Sequence, residues 1–267
     1  MTLRATILGC GSSGGVPRVG GDWGACDPDE PKNRRMRCSL LVEKDADGGT
    51  TSILVDTSPD LREQLLRADV KRLDAVLYTH DHADQTHGID DLRAIAYRMR
   101  TQIPVYMDAH TKEHLVSRFD YCFEMPEGRV HPAILALQDL VEDGRSLTID
   151  GPGGPISVDV VEASHGPTPT LLFVFDGKIA YSPDVWEIEE DRLERLTDID
   201  CWICDALRYS SHPTHAHADK TLSWMARVKA RRAILTNLHI DMDYDVMRDE
   251  LPAIAQPAYD GMVVESL

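Results

Sequence analysis

Residues 3–9 read Leu-Arg-Ala-Thr-Ile-Leu-Gly, apolar and polar positions in near alternation up to a glycine. A two-residue period sends successive side chains to opposite faces and predicts a strand. Similar β-type runs recur at 38–44, 51–57, 73–80, 103–109, 155–163, 170–177, 178–184, 199–206 and 231–239. Between them, apolar positions three and four apart predict helices over 59–69, 90–100, 111–121, 187–196 and 218–231. The glycine-rich stretch 151–155 and the pair Asp176-Gly177 carry hairpin turn signals. Hairpin-like strands give way to strand–helix units, and the same pattern returns in the second half with no linker between. The chain therefore reads as one α/β domain over residues 1–267, a sandwich with two mixed sheets inside and helices outside.

Composition narrows the functional classes. The 267 residues are 42% hydrophobic, an ordinary globular content, with 28 Lys+Arg against 45 Asp+Glu and a net charge of −17. Such a body repels polyanions, which argues against polymeric nucleic acid as a partner. No apolar run is long enough to span a bilayer. The opening apolar stretch is too short for a signal-peptide core, so a cytoplasmic protein is expected. The six cysteines are scattered. Cys201 and Cys204 have metal or redox spacing but fall in the apolar run DIDCWICDAL, where a strand turns them to opposite faces. Buried thiols are expected there.

Gly9-Cys10-Gly11-Ser12-Ser13-Gly14 satisfies the dinucleotide-binding pattern after a strand, but that pattern works only when it opens a helix. Gly15-Val-Pro-Arg-Val-Gly-Gly follows and cannot start one. Two readings remain: an anion pocket lined by the exposed amides of the loop, with Ser12, Ser13 and Gly14 in it, or a plain turn.

The chemistry concentrates in LDAVLYTHDHADQTHGIDDLR, residues 73–93. An apolar strand ends and delivers His80, His82 and Asp84, with a helix expected to start near Gly88–Asp90. Imidazole and carboxylate suit Zn²⁺, Mn²⁺ or Fe²⁺, and an open catalytic site uses three protein ligands plus water. His165, Asp184 and His239 also follow predicted strands, where open α/β sites form. His212, His215 and His217 precede a predicted helix, and Arg18, Arg34 and Arg35 near the glycine loop could grip a phosphate.

The order HxHxD, His, Asp, His on strand–helix units resembles the metallo-β-lactamase-fold hydrolases. The LGCGSSGGVPR loop and THDHADQTHGIDDLR look most like the phosphoribosyl cyclic phosphodiesterases of phosphonate degradation. The resemblance implies an αββα sandwich and two divalent metal ions, with His80, His82 and His165 on one, Asp84 and His239 on the other, and Asp184 between them. By the same resemblance His217 would be the general acid. The chain departs from the family in two places. Gln85 stands where the motif HxHxDH has its last histidine, so the second ion should bind weakly, or be Mn²⁺ rather than Zn²⁺. His87 could compensate or lie outside the ligand shell. A gapless reading puts Asn237 at the last ligand position, and His239 reaches it only if the strand end bulges; ligand chemistry favours His239.

The expected protein is a metal-dependent phosphodiesterase acting on a small anionic phosphorylated sugar or nucleotide, with Asp84 and His217 in catalysis and His215 among the substrate contacts. Thioester or lactone hydrolysis, a cofactor-biosynthesis oxidoreductase and a nucleotide-binding protein on the same fold are the alternatives. A homodimer is compatible with the chain.

Overall fold

The computed structural model describes residues 2–125 and 130–266. The first sheet is built from β1 (Leu3–Gly9), β2 (Ser39–Ala46), β3 (Gly49–Val55), β4 (Ala75–Leu77), β5 (Ile103–Tyr106) and β6 (Leu135–Leu137). The second holds β7 (Ser146–Ile149), β8 (Ile156–His165), β9 (Thr168–Phe175), β10 (Ile179–Ser182), β11 (Cys201–Asp205), β12 (Arg232–Thr236) and β13 (Ala255–Pro257). The last strand, β14 (Met262–Glu265), returns to the first sheet beside β1. The two strand orders are β14-β1-β2-β3-β4-β5-β6 and β13-β12-β11-β10-β9-β8-β7.

Both sheets are mixed, and in the same way. Pairing is antiparallel from β14 to β3 and parallel from β3 to β6. It is antiparallel from β7 to β10 and parallel from β10 to β13. The repeat seen in the hydropathy pattern is thus a repeat of topology. Ile7, Leu40, Val55 and Leu77 from one sheet share a buried cluster with Val158, Phe173, Tyr181 and Ile203 from the other. The inner faces therefore pack on each other, and the hydrophobic effect holds the sheets together.

Helices cover the outer faces. On the first sheet lie α1 (Leu61–Arg67), α2 (Ala83–Thr86), α3 (Arg93–Met99), α4 (Ala109–Arg118) and α5 (Asp120–Phe123), with Leu65, Ile95, Leu115 and Phe123 turned inward. On the second lie α6 (Glu190–Glu194), α7 (Ala218–Arg227) and α8 (Tyr244–Glu250), with Leu193, Trp224 and Met247 inward. This is the αββα sandwich. Cys201 joins the inner core and Cys204 the outer one, as strand alternation requires, and both thiols are free and buried.

Several boundaries differ from the sequence expectation. The helix after HxHxD begins at Ala83, directly behind His82, and not near Gly88. The predicted helix 90–100 opens as a 3₁₀ turn over Ile89–Leu92 before α3. The predicted helix 111–121 starts earlier, because the Asp108 carboxylate caps the Thr111 N–H at 2.7 Å, and it breaks at Phe119 into α4 and α5. The glycine loop opens no helix; the next helical turn is Pro31–Asn33, so the dinucleotide reading falls. No helix among the described residues is long and apolar enough to cross a membrane.

Candidate metal centre and active site

Most candidate ligands follow parallel strands, His80, His82 and Asp84 after β4, Asp184 after β10 and His239 after β12, while His165 is the last residue of the antiparallel strand β8. His80, His82 and His165 form a triangle of imidazoles with ring centroids 4.6, 5.1 and 5.0 Å apart. One ligand nitrogen from each lies within 4.8 Å of the others. His80 donates Nδ1–H to the Thr79 hydroxyl oxygen, 3.0 Å away, since that hydroxyl gives its own hydrogen to Asp56, and the buried Nε2 has no hydrogen-bond partner. His165 donates Nδ1–H to the Thr214 carbonyl at 2.7 Å, which leaves Nε2 as its ligand nitrogen. Burial, with His165 and His82 alongside, holds His80 well below the ordinary histidine range, and burial takes His165 to about 3. Both rings are thus neutral and keep the lone pair a metal needs. Asp81, between His80 and His82, turns the other way. Its carboxylate meets Arg118 of α4 at 3.0 Å and its carbonyl accepts from the same guanidinium at 2.6 Å, which anchors the histidine-bearing turn on α4.

Beside the triangle lies a buried polar group from the second sheet. Asp184 accepts from the Gln85 amide at Oδ2, 2.7 Å, and from the Asn237 amide at Oδ1, 3.1 Å. Asn237 also donates to Asp205 Oδ1 at 3.1 Å. Asp205 Oδ2 receives His215 Nδ1–H at 2.8 Å and the Val185 N–H at 3.0 Å. Burial alone would lower His215, but Asp205, Asp184 and Asp84 outweigh it and raise its pKa to about 9. Burial also pushes both Asp184 and Asp205 above the usual carboxylate range.

Other expected site residues fall as follows. Ser12, Ser13, Arg18, Asp84, His212 and His239 line the same cleft as the imidazoles, a cavity of about 300 Å³, and Arg208, which the sequence reading did not single out, lines it too. Gly14 lies under the Arg18 side chain: a Cβ there would meet Arg18 Cγ at 3.2 Å, so its bare backbone lets the arginine fold back over the loop. The loop amides expected to hold an anion are partly committed, since the Gly11, Ser12, Gly15 and Val16 N–H groups donate to backbone carbonyls. Arg35 is buried and donates to Asn33 and to the His239 carbonyl, and Arg34 stacks on Trp23, so neither reaches the cleft. Arg18 does.

Two expectations are corrected here, for His239 and His217, and the open choice for His87 falls outside the ligand shell. His239 is not gathered with Asp184: Nε2 contacts Arg18 and Nδ1 lies 2.5 Å from Asp241. The chain turns at Asn237, whose φ is +60°, so Asn237 enters the cluster and His239 is carried to the rim. His217 caps α7 at its N-terminus outside the cleft, while His215, two residues earlier, faces in. His87 is exposed and packs edge-on against Phe119, 5.6 Å between centroids, away from the imidazoles. Sequence reading missed Asp205 altogether, because it closes an apolar strand; only its strand-end position gave a signal.

The donor set fits one metal ion. Three imidazoles converge, one with an orphaned buried nitrogen, and the cleft leaves a further position open to water or substrate. It does not fit the second ion implied by resemblance. The groups at that position are amides whose N–H ends face Asp184.

Fold and site together define a protein of the metallo-β-lactamase fold with a candidate metal centre. The chain belongs to the β-lactamase superfamily: the model described as "Beta-lactamase superfamily domain" matches residues 51–240. A crystal structure of a new diphosphatase from the PhnP family is similar at a TM-score of 0.87 and 33% identity, over 99% of this chain and 97% of that one. The zinc-bound PqqB of Methylobacterium extorquens shares the fold at a TM-score of 0.70 and 18% identity, over 98% and 99% of the two chains. The short form of human tRNase Z shares it at a TM-score of 0.63 and 17% identity, over 98% of each. Among curated sequences, a Porphyromonas gingivalis protein named octanoyltransferase is 30% identical over 97% of this chain. The chain spans about half, 51%, of that relative's length.

Proposed function

We propose that this protein hydrolyses a phosphodiester or diphosphate bond in a small anionic substrate, such as a phosphorylated sugar or nucleotide. The observation that carries the reading is the meeting of a three-imidazole centre with Arg18 and His215 in one small cleft of a protein at −17. Local positive charge at that point selects an anion that the rest of the surface repels. The similarity to a PhnP-family diphosphatase supports the same bond class. Such a substrate is small by the same argument, since a long polyanion would have to lie along the acidic surface.

His80, His82 and His165 would hold a divalent ion, which would supply Lewis acidity for the hydrolysis of the phosphoryl group. Arg18 would pair with the substrate phosphate, where a guanidinium fork matches the oxygens. His215 is held through Nδ1 by Asp205, so Nε2 is its free nitrogen. As a water oxygen bonds to phosphorus and the bond to the leaving oxygen breaks, His215 would pass its Nε2 proton to the leaving oxygen, and the proton lost by the water returns to solvent and restores His215. Asp205 fixes the tautomer. The octanoyltransferase name belongs to a protein about twice as long, and Leu207 is the one apolar side chain lining this cleft among the described residues. An octanoyl chain would find little surface to bury against.

The test is a panel of a nucleoside diphosphate, a cyclic phosphodiester, a nitrophenyl phosphodiester, an acyl thioester and a lactone, run with His80→Ala as the blank. Turnover of a phosphoryl substrate that His80→Ala lacks is the expected result. Turnover confined to the thioester or lactone would overturn the proposal.

A further inference from the structure

We infer that the centre holds a single metal ion, and that the place of a second ion is filled by hydrogen-bonded side chains of this chain, the Gln85 and Asn237 amides on Asp184. The inference rests on the three-imidazole site and is independent of which bond the protein cleaves.

Asp184 is the carboxylate that would have to bind a second ion together with Asp84. Both of its oxygens are already occupied by N–H donors, Gln85 Nε2 at 2.7 Å and Asn237 Nδ2 at 3.1 Å. A cation placed against Asp184 would face the positive ends of both amide groups. Neither amide can simply be reversed to offer its oxygen. Asn237 Nδ2 stands between two carboxylates, Asp184 and Asp205, each 3.1 Å away, and a flip would set its Oδ1 against both. A flipped Gln85 would set an oxygen 2.7 Å from Asp184 Oδ2. Each orientation is thus assigned by the network around it.

Among the described residues, two other groups bring ligand atoms within 4.8 Å of one another, His165 with Asp184 and His215, and Asp81 with His110 and His114; the first shares His165 with the triangle, and in the second Asp81 is paired with Arg118 at 3.0 Å. His215 Nδ1 is taken by Asp205 at 2.8 Å, His239 contacts Arg18 and Asp241, and His87 lies on the outer surface. Gln85 also donates to Asp84 Oδ2 at 3.4 Å, so one amide spans both carboxylates that a second ion would need. Both oxygens of Asp184 are thus held by N–H donors without a metal, and the one unpartnered atom of these two amides is the buried Gln85 Oε1. The contrast with the imidazole triangle lies in the charged ligand: the buried His80 Nε2 lacks any partner, whereas each oxygen of Asp184 has one, and Gln85 Oε1, the unpartnered atom here, is a lone neutral oxygen.

The experiment is metal stoichiometry. Protein stripped by a chelator is titrated calorimetrically with Zn²⁺ and with Mn²⁺, and after desalting the bound metal is counted by elemental analysis. Wild type should saturate at one ion per chain, His80→Ala should hold none after desalting, and Mn²⁺-loaded wild type should give the spin-resonance pattern of an isolated ion. The double variant Gln85→His with Asn237→His, which supplies two imidazoles in place of the two amides, should take up a second ion. Two ions per wild-type chain of comparable affinity, or an exchange-coupled manganese spectrum, would overturn the inference. So would a folded double variant that still holds one. If the double variant does not fold, wild-type stoichiometry and spectrum decide alone. A failure of the substrate panel leaves these readouts untouched.

Discussion

Asp56 accepts two hydrogen bonds from Thr79, from the backbone N–H at 2.8 Å and from the hydroxyl at 2.9 Å. All three of Asp56, Thr79 and His80 are fully buried, and the same hydroxyl lies 3.0 Å from His80 Nδ1. The ring that presents the orphaned Nε2 is therefore aimed by a carboxylate on the preceding strand's loop, two links away. Asp56 itself has φ +61°, a conformation that asparagine also tolerates.

Asp56→Asn keeps the backbone turn but replaces one accepting oxygen with a donor. Metal affinity should fall about 10–100-fold, the usual cost of disturbing a partner behind a ligand. Competition titration of Zn²⁺ against a chelating dye measures it, and at saturating metal most of the activity should return. An unchanged affinity would show that Thr79 holds His80 unaided.

His215 and His217 separate by substitution. His215→Ala should slow turnover of a substrate with an alkoxide leaving group by about 10²–10⁴-fold, the range for general acid catalysis. A nitrophenyl phosphodiester, whose leaving group needs little protonation, should lose much less. His217→Ala should leave both rates close to wild type. Equal losses on both substrates would remove His215 from proton transfer.

Arg18→Ala should raise KM for an anionic substrate about 10–100-fold, since a charge-assisted bond to phosphate is worth about 1.5–3 kcal/mol. Arg18→Lys should recover only part, because an ammonium cannot reproduce the fork. Steady-state kinetics on a diphosphate provides the measurement. A fall in kcat alone would place the arginine elsewhere in the reaction.

Asp260 lies away from the imidazoles, where it accepts from the Cys10 N–H at 3.1 Å and the Met36 N–H at 2.8 Å. Burial raises its pKa from 3.8 to about 7. Folding thus favours the protonated acid, so the contribution is complete below the unfolded value and is lost as pH rises through about 7. Wild type should lose about 2 kcal/mol more than Asp260→Asn between about pH 5 and about pH 7, at roughly 1.4 kcal/mol per unit. Urea unfolding at the two pH values gives the difference. Parallel profiles would assign Asp260 an ordinary pKa.

The sandwich was legible because each strand buries one or both faces, so apolar runs such as 170–177 report the core directly. The candidate ligands were legible where histidine broke an apolar run at a strand end, as at His80 and His165. Elements with weaker signals escaped: β7 alternates over only four residues, and α8 sits in an acidic stretch whose buried side, Tyr244 and Met247, is small. Three features of the cleft were not legible, for local reasons. Asp205 ends a strand that is otherwise apolar. His215 and His217 share one polar stretch, and only the turn into α7 decides which faces the cleft. Asn237 and His239 exchange places through a left-handed residue, which hydropathy does not register.

The likeness of the two sheets has a consequence for how the protein comes into being. The first sheet contributes two imidazoles of the triangle, from the loop after β4, and the second contributes the third, from the end of β8. A chain emerging from the ribosome carries an incomplete chelator until residue 165 has been made and the sheets have met face to face. Ion capture is thus a late event that reports finished assembly. Once bound, the ion would act as a rivet across the seam between two similar halves, so its removal should loosen that seam before either sheet comes apart.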